Sequence, residues 1–354
     1  MKKKVLSILI IICSFLLIFN VIMPNIIIAD ASSNSAEIVM EVNSNRIVYA
    51  KNINDKKYMA STTKILTAIT IIENCTLDEQ VVINKNSVGI EGSSIYLEEG
   101  EKLSVRELLY GLTLRSGNDC AHALAIHCSK NIEDFALLMN QTAQKIGANN
   151  SNFVNPHGLH NDNHYTTAYD LALISCYAMK NDSFREIVST KSIRIPQTTI
   201  NSVRLLINKN KMLKEFEGST GIKTGYTKKA GRCLVSSCKR NGIEFVCVVL
   251  NCAPMFEVSK SLLTSAFNNY KNYKILESDN ILGFIEVENG TKRAVCIKND
   301  IILPLTKEEK NNLKIIYDIP KLLKDNDKNQ KEIGKVKIYY QNNLLFEEKI
   351  YTII

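Results

Sequence analysis

A serine hydroxyl attacks a carbonyl only when a base removes its proton. In Ser61-Thr-Thr-Lys64 an amine lies three residues on from a hydroxyl, one helical turn away on the same face. Two further groups follow in order: Ser116-Gly-Asn118, a hydroxyl and a carboxamide, and Lys223-Thr224-Gly225, an ammonium and a hydroxyl followed by a glycine. Together they suit acyl transfer. Ser61 is the nucleophile and Lys64 its base, while Ser116 and Asn118 relay a proton and hold a substrate amide. Lys223 and Thr224 bind a carboxylate, and Gly225 lets a ligand approach a strand closely.

Taken singly, each group has a plainer explanation. Ser61 reads as a helix N-cap, Asn118 as the cap of a following helix, and Lys223-Thr224 as part of a polar edge strand. A second Ser-x-x-Lys occurs at Ser236 to Lys239 and a Ser-Asp-Asn at Ser278 to Asn280, both in the wrong order. The information lies in the conjunction and its order. For Lys64 to act as base it must spend time neutral, which burial and a second cation both favour; Lys223 supplies that cation. A helix N-terminus beneath Ser61 adds free N–H groups for an oxyanion.

The elements that must hold these residues can be read from periodicity. Residues 37–42 and 46–50, on either side of Asn43-Ser-Asn45, read as two strands joined by a tight turn. Residues 61–73 are apolar around nearly their whole circumference, the pattern of a buried helix. Helices follow at 104–114, opened by the capping box Ser104-x-x-Glu107, and at 119–129, 132–146 and 167–179. Residues 76–215 therefore form a mostly helical subdomain. Strands at 232–239 and 243–251 flank Arg240-Asn241-Gly242, a type I′ turn sequence, and a helix at 255–273 closes the domain. The fold class is α/β (α+β): a sheet built from both ends of residues 32–273, packed against helices. Residues 274–354 form a small all-β domain with strands at 283–287, 293–297, 335–340 and 344–352, and a polar loop at 324–332.

With 354 residues, 45% of them hydrophobic and 23% charged, the chain has material for two domains and a sizeable core. Met1 to Lys4 followed by an apolar run to Met23, Pro24 and Ala29-Asp-Ala31 reads as an export signal over 1–31; an uncleaved membrane anchor is the rival reading. Removing 1–31 takes away three lysines and Asp30 and lowers the formal charge from +8 to +6. That excess favours an anionic membrane surface or wall polymer, and no basic stripe interleaved with aromatics points to nucleic acid. Nine cysteines outside the leader, scattered and odd in number, read as buried small hydrophobes rather than a disulfide framework. With no Cys-x-x-Cys or His-Glu-x-x-His pattern, neither a metal nor a cofactor is expected.

These residues, with Met59-Ala60, Asp119, Phe153-Val-Asn-Pro-His-Gly-Leu159, His164 to Ala172 and Gly218 to Leu234, resemble the D-alanyl-D-alanine carboxypeptidases. These are low-molecular-mass penicillin-binding proteins related to the serine β-lactamases. The resemblance covers most of residues 36–275. It implies a β-lactamase/transpeptidase-like sheet flanked by helices, and an oxyanion hole from the backbone N–H groups of Ser61 and Tyr226. It also implies removal of the terminal D-alanine from peptidoglycan stem peptides ending in D-Ala-D-Ala, β-lactams acylating the same serine, and an extracytoplasmic location. It assigns His157 and His164 no catalytic part, so packing or capping roles are expected of them. Residues 347–354 read as a strand where the family carries an amphipathic membrane anchor, so membrane attachment is expected only through the N-terminal segment.

Two rival activities share the motifs. A D,D-endopeptidase or transpeptidase differs only in acceptor, and a β-lactam or muropeptide sensor acylates without turnover. A class A β-lactamase needs a Glu-x-x-Leu-Asn acid between the second and third motifs, and none occurs between Asn118 and Lys223.

Overall fold

The structure is a computed structural model, and it describes residues 34–278, 280–324 and 332–353. The expected leader over 1–31 and most of the polar loop expected at 324–332 lie outside the described residues.

A five-stranded antiparallel sheet forms the core, in the order Ile47–Lys51, Ala36–Glu41, Ile243–Leu250, Gly231–Arg240, Ser219–Thr227. The first two strands come from one end of the domain and the last three from the other. Every residue of the Ile243–Leu250 strand is buried, so both faces of the sheet are covered. The Ala168–Met179 helix packs against this strand and its Ala36–Glu41 neighbour, while the Met255–Asn269 helix packs on it and on Gly231–Arg240. Between Gly231–Arg240 and Ile243–Leu250 the chain reverses through Asn241 and Gly242, with φ 50° and 77°. The type I′ turn expected there requires this left-handed pair.

The helical part centres on Lys64–Asn74, in which every residue from Lys64 to Ile71 is buried. Burying side chains such as Ile65, Leu66, Ile69 and Ile71 stabilises the fold by about 1.5–3 kcal/mol each. Around it pack Val105–Leu114, Asn118–Ser129, Ile132–Ile146 and Ala168–Met179. The capping box at Ser104 and Glu107 is formed in both directions. Thr167 caps its helix by accepting from Asp170 N at 3.0 Å.

Two expectations need correction. The mostly helical stretch also contains a hairpin, Ser192–Gln197 with Ser202–Ile207, and a short strand pair, Gln80–Val82 with Lys102–Ser104. The helix expected over 255–273 ends at Asn269, and Lys271–Leu276 is a strand paired with Ile301–Leu305. Tyr270, already extended at φ −109° and ψ 138°, ends that helix without the glycine that usually signals a stop.

The last part of the chain is a six-stranded sheet in the order Leu313–Asp318, Glu332–Tyr340, Asn343–Thr352, Lys292–Cys296, Gly283–Val287, Leu322–Leu323. It has its own core, which includes Ile285, Val295, Leu303, Val336, Ile338 and Ile350. Arg46 joins it to the opening hairpin, pairing with Glu309 and donating to Pro304 O beneath the Tyr270 ring.

Candidate functional site

Ser61 lies in a 3₁₀ turn, Ala60–Thr63, that runs directly into the Lys64–Asn74 helix. Neighbouring hydroxyls tighten this turn. Thr62 Oγ1 donates to Met59 O at 2.6 Å and Thr63 Oγ1 to Ala60 O at 2.8 Å, side-chain bonds that compete with regular helix at a first turn. Thr62, Thr63 and Lys64 are thereby buried, and Ser61 keeps partial exposure. Ala60 holds φ at 48°, an unusual value for a residue with a side chain. Its carbonyl is pressed by Gly158 (φ 85°), where a Cβ would lie 1.9 Å from Ala60 O. Only glycine fits there.

Lys64 Nζ donates to Ser61 Oγ at 3.1 Å, to Asn118 Oδ1 at 2.7 Å and to His157 O at 2.6 Å. The amide oxygen and the carbonyl can only accept, so two N–H bonds are committed whatever the charge of the amine. The third position faces Ser61. It holds an N–H when Lys64 is charged and a lone pair when it is neutral, and that lone pair is aimed at the serine proton. Burial is the main force holding the Lys64 pKa well below the usual lysine range, with the nearby Lys223 cation adding to it. Burial and then Lys209 push Lys223 down to about 7.

Asn118 opens the Asn118–Ser129 helix and is fixed at several atoms. Its N–H donates to Ser93 O at 2.7 Å, and its side-chain amide donates to Glu91 O. The loop supplying those carbonyls is held by Asp119, which is buried and accepts from Ile95 N and Leu97 N, each at 3.1 Å, and from Ser94 Oγ. Ser116, at φ 65°, precedes the helix and is 5% exposed.

Among the described residues the Ser219–Thr227 strand pairs along one edge only, and its other edge faces the Ser61 turn. A Cβ on Gly225 would meet Met59 O at 3.0 Å and both Ser61 N and Thr62 N at 3.1 Å, which explains why glycine stands there. Lys223 is buried and donates to Thr224 O at 3.0 Å. The Tyr226 ring points outward, 62% exposed, so at the site the residue has its backbone to offer. Ser61, Ser93, Ser116, Lys209, Thr224, Gly225, Tyr226 and Phe256 line one cavity of about 290 Å³, with Lys64 and Asn118 buried behind Ser61. A larger cleft of about 550 Å³ lies beside Tyr49 and Tyr270, away from these groups.

The structure thus brings all eight residues singled out from the sequence to one place. Sequence reasoning missed the His157 carbonyl, the 91–97 loop and Lys209. A backbone acceptor leaves no mark on residue type, and the loop has no period; the run Asn208-Lys-Asn-Lys211 gave no cue to its position. His164 lies under the nucleophile turn. Its Nδ1 accepts from Val154 N at 3.1 Å, which leaves Nε2 to donate to Thr63 Oγ1 at 2.8 Å. Burial first, and then Lys64, push its pKa down to about 4 and that of His157 to about 3. Among the described residues no cluster of metal-ligating side chains occurs.

Residues 24–253 match the family model described as D-alanyl-D-alanine carboxypeptidase, and residues 270–353 match the C-terminal domain of penicillin-binding protein 5. The D-alanyl-D-alanine carboxypeptidase DacF of Bacillus subtilis is 30% identical over 296 residues, covering 80% of this chain and 76% of that protein. Penicillin-binding protein 5 of Haemophilus influenzae superposes with a TM-score of 0.79 at 26% identity, over 90% of this chain and 96% of that one. A variant of the Streptomyces K15 DD-transpeptidase superposes with a TM-score of 0.61 at 31% identity, over 65% of this chain and 94% of that one.

Proposed function

The chain belongs to the D-alanyl-D-alanine carboxypeptidase family, and from that premise we propose which of its atoms carry each step of the reaction. It is a serine hydrolase of penicillin-binding-protein fold that removes the terminal D-alanine of D-Ala-D-Ala peptides and is acylated by β-lactams.

Neutral Lys64 takes the proton of Ser61 as Oγ attacks the carbonyl carbon of the penultimate D-alanine. The backbone N–H groups of Ser61 and Tyr226 receive the developing oxyanion. Lys223 and Thr224 hold the terminal carboxylate, and Asn118 holds the amide of the stem. The proton passes from Lys64 through Ser116 to the departing amine. Water then hydrolyses the acyl-serine and free D-alanine has already left. The free edge of Ser219–Thr227 offers backbone pairing to the extended peptide. The observation that carries this reading is the commitment of two Lys64 donors to Asn118 Oδ1 and His157 O, which leaves its third position facing Ser61 Oγ.

The substrate of such an enzyme lies outside the cytoplasm. Export through the 1–31 segment, placement at the wall or the outer membrane face, and a division into 32–273 and 274–354 belong to the same proposal; the limits of the two family matches support that division. Among the described residues no helix is long and apolar enough to cross a membrane.

Product analysis on a pentapeptide muropeptide tests the reading. Free D-alanine and a tetrapeptide are expected. Cross-linked dimers, or cleavage of dimers, would instead support the transpeptidase or endopeptidase reading, and acylation without any product the sensor.

A further inference from the structure

Cys75 and Cys128 are the two cysteines among the described residues that are only half-buried; Cys120, Cys176, Cys233, Cys238, Cys247 and Cys252 are all buried. Their helices pack against one another, and the two thiols lie close enough for each to be the strongest influence on the ionisation of the other. Their place in the fold explains why. Cys75 is the C-cap of the Lys64–Asn74 helix, and Cys128 is the penultimate residue of Asn118–Ser129. At the start of these helices Lys64 Nζ meets Asn118 Oδ1 at 2.7 Å. Helices that touch at both their first and last turns run parallel. From Lys64 to Cys75 and from Asn118 to Cys128 the rise is about 15–17 Å in each case at 1.5 Å per residue. Equal rise brings the thiols level at one end as it brings amine and amide level at the other.

We propose that Cys75 and Cys128 form a reversible disulfide that staples the C-terminal ends of the two helices whose N-terminal ends carry Lys64 and Asn118. The oxidant is a low-molecular-weight disulfide, of the kind an exported protein meets outside the cytoplasm. Cys128 attacks first. Its thiolate bonds to one sulfur of the oxidant, the oxidant's S–S bond breaks, and one thiol leaves carrying the proton Cys128 gave up. Cys75 sulfur then attacks Cys128 sulfur and the mixed disulfide breaks. The second thiol departs with the Cys75 proton, so two electrons from the pair have reduced one disulfide. Within the pair the ionised form is favoured at Cys128 and disfavoured at Cys75, so Cys128 is the first nucleophile. The bond would close the loop between the two residues and restrict the unfolded chain. It leaves every group of the acyl-transfer site untouched.

The test uses the full chain, oxidised glutathione as probe, alkylation under denaturing conditions, and intact mass with peptide mapping. The wild type is expected to lose two hydrogens and two alkylation sites, to retain no glutathione, and to yield one cross-linked pair of peptides carrying Cys75 and Cys128. Reduced glutathione restores both sites. The Cys75→Ser variant is expected to stop at a single glutathione adduct on Cys128. Full alkylation of both cysteines in the oxidised wild type, a lasting glutathione adduct without closure, or a cross-link through other cysteines would overturn the proposal. Faster adduct formation at Cys75 in Cys128→Ser than at Cys128 in Cys75→Ser would overturn the assigned order.

Discussion

Lys64 Nζ stands 2.7 Å from Asn118 Oδ1, so two motifs separated by 54 residues share a buried hydrogen bond at the first turns of neighbouring helices. The bond fixes the rotamer of the amine and leaves it one direction in which to act. Lys64→Ala is therefore expected to fold, because the helix keeps its apolar stripe, and to be acylated by a β-lactam about 10²–10⁴-fold more slowly. Stopped-flow or quenched acylation kinetics measure this; wild-type rates in the variant would remove Lys64 as base.

The pH dependence of acylation follows from the two amines. The reactive form has Lys64 neutral, so the rate falls as pH drops through its pKa. Burial is the larger cause of that low pKa, and the charge of Lys223 is the next. Replacing Lys223 by Gln removes the charge and raises the Lys64 pKa, so the acid limb moves to higher pH, whereas Lys223→Arg keeps it in place. An acid limb that stays put in Lys223→Gln would show that the two amines do not interact.

Gly225 lies where any side chain must push on Met59 O, Ser61 N and Thr62 N. Gly225→Val is expected to displace the nucleophile turn by a few tenths of an ångström or more and to reduce acylation by roughly 10²-fold, with thermal stability close to that of the wild type. A fully active valine variant would mean that the strand does not set the position of Ser61.

Asp119 holds the 91–97 loop by accepting backbone N–H groups that an asparagine could satisfy only in part. Asp119→Asn should cost about 2 kcal/mol of stability, the scale of hydrogen bonds to a charged acceptor. It should also loosen the carbonyls that hold Asn118. Chemical denaturation and hydrogen exchange at Ile95 and Leu97 provide the measurement; unchanged protection at those amides would contradict it.

His157 and His164 are buried neutral, with pKa values pushed down to about 3 and 4 from an ordinary 6.5. Because the folded values lie below the unfolded one, the unfolded chain binds protons first as pH falls. Their contribution to stability is complete above about pH 6.5 and is lost progressively as pH falls through about 4 for His164 and about 3 for His157, by on the order of a few kcal/mol each. Urea melts across this range in the wild type and in His164→Gln should show a shallower loss in the variant. Equal slopes would assign the acid sensitivity to other groups.

The parts of the molecule legible in the sequence are those whose signal is local. Ser104 and Glu107 cap each other across one turn, Asn241-Gly242 must take left-handed values, and residues 64–71 are buried on every side as their all-round apolar pattern implied. The parts that were not legible depend on partners far along the chain. Val203, Leu205 and Ile207 alternate as a strand should, but they face solvent, and the hairpin's inward face buries only Ile195 and Leu206 fully, too short a stripe to mark it among helices. Lys271–Leu276 follows a helix without a stop signal and becomes a strand because Ile301–Leu305 pairs with it. In the site, side-chain types announced themselves. The acceptors that orient them, His157 O, Glu91 O and Ser93 O, are backbone atoms that any residue would supply.

The most direct test of the account is the intact mass of the protein after treatment with penicillin, compared with that of Ser61→Ala. One covalent adduct is expected on the wild type, mapping to the peptide that carries Ser61, and none on the variant. An adduct of the same mass on Ser61→Ala would contradict the assignment of Ser61 as the acylated nucleophile, and with it the role given to Lys64.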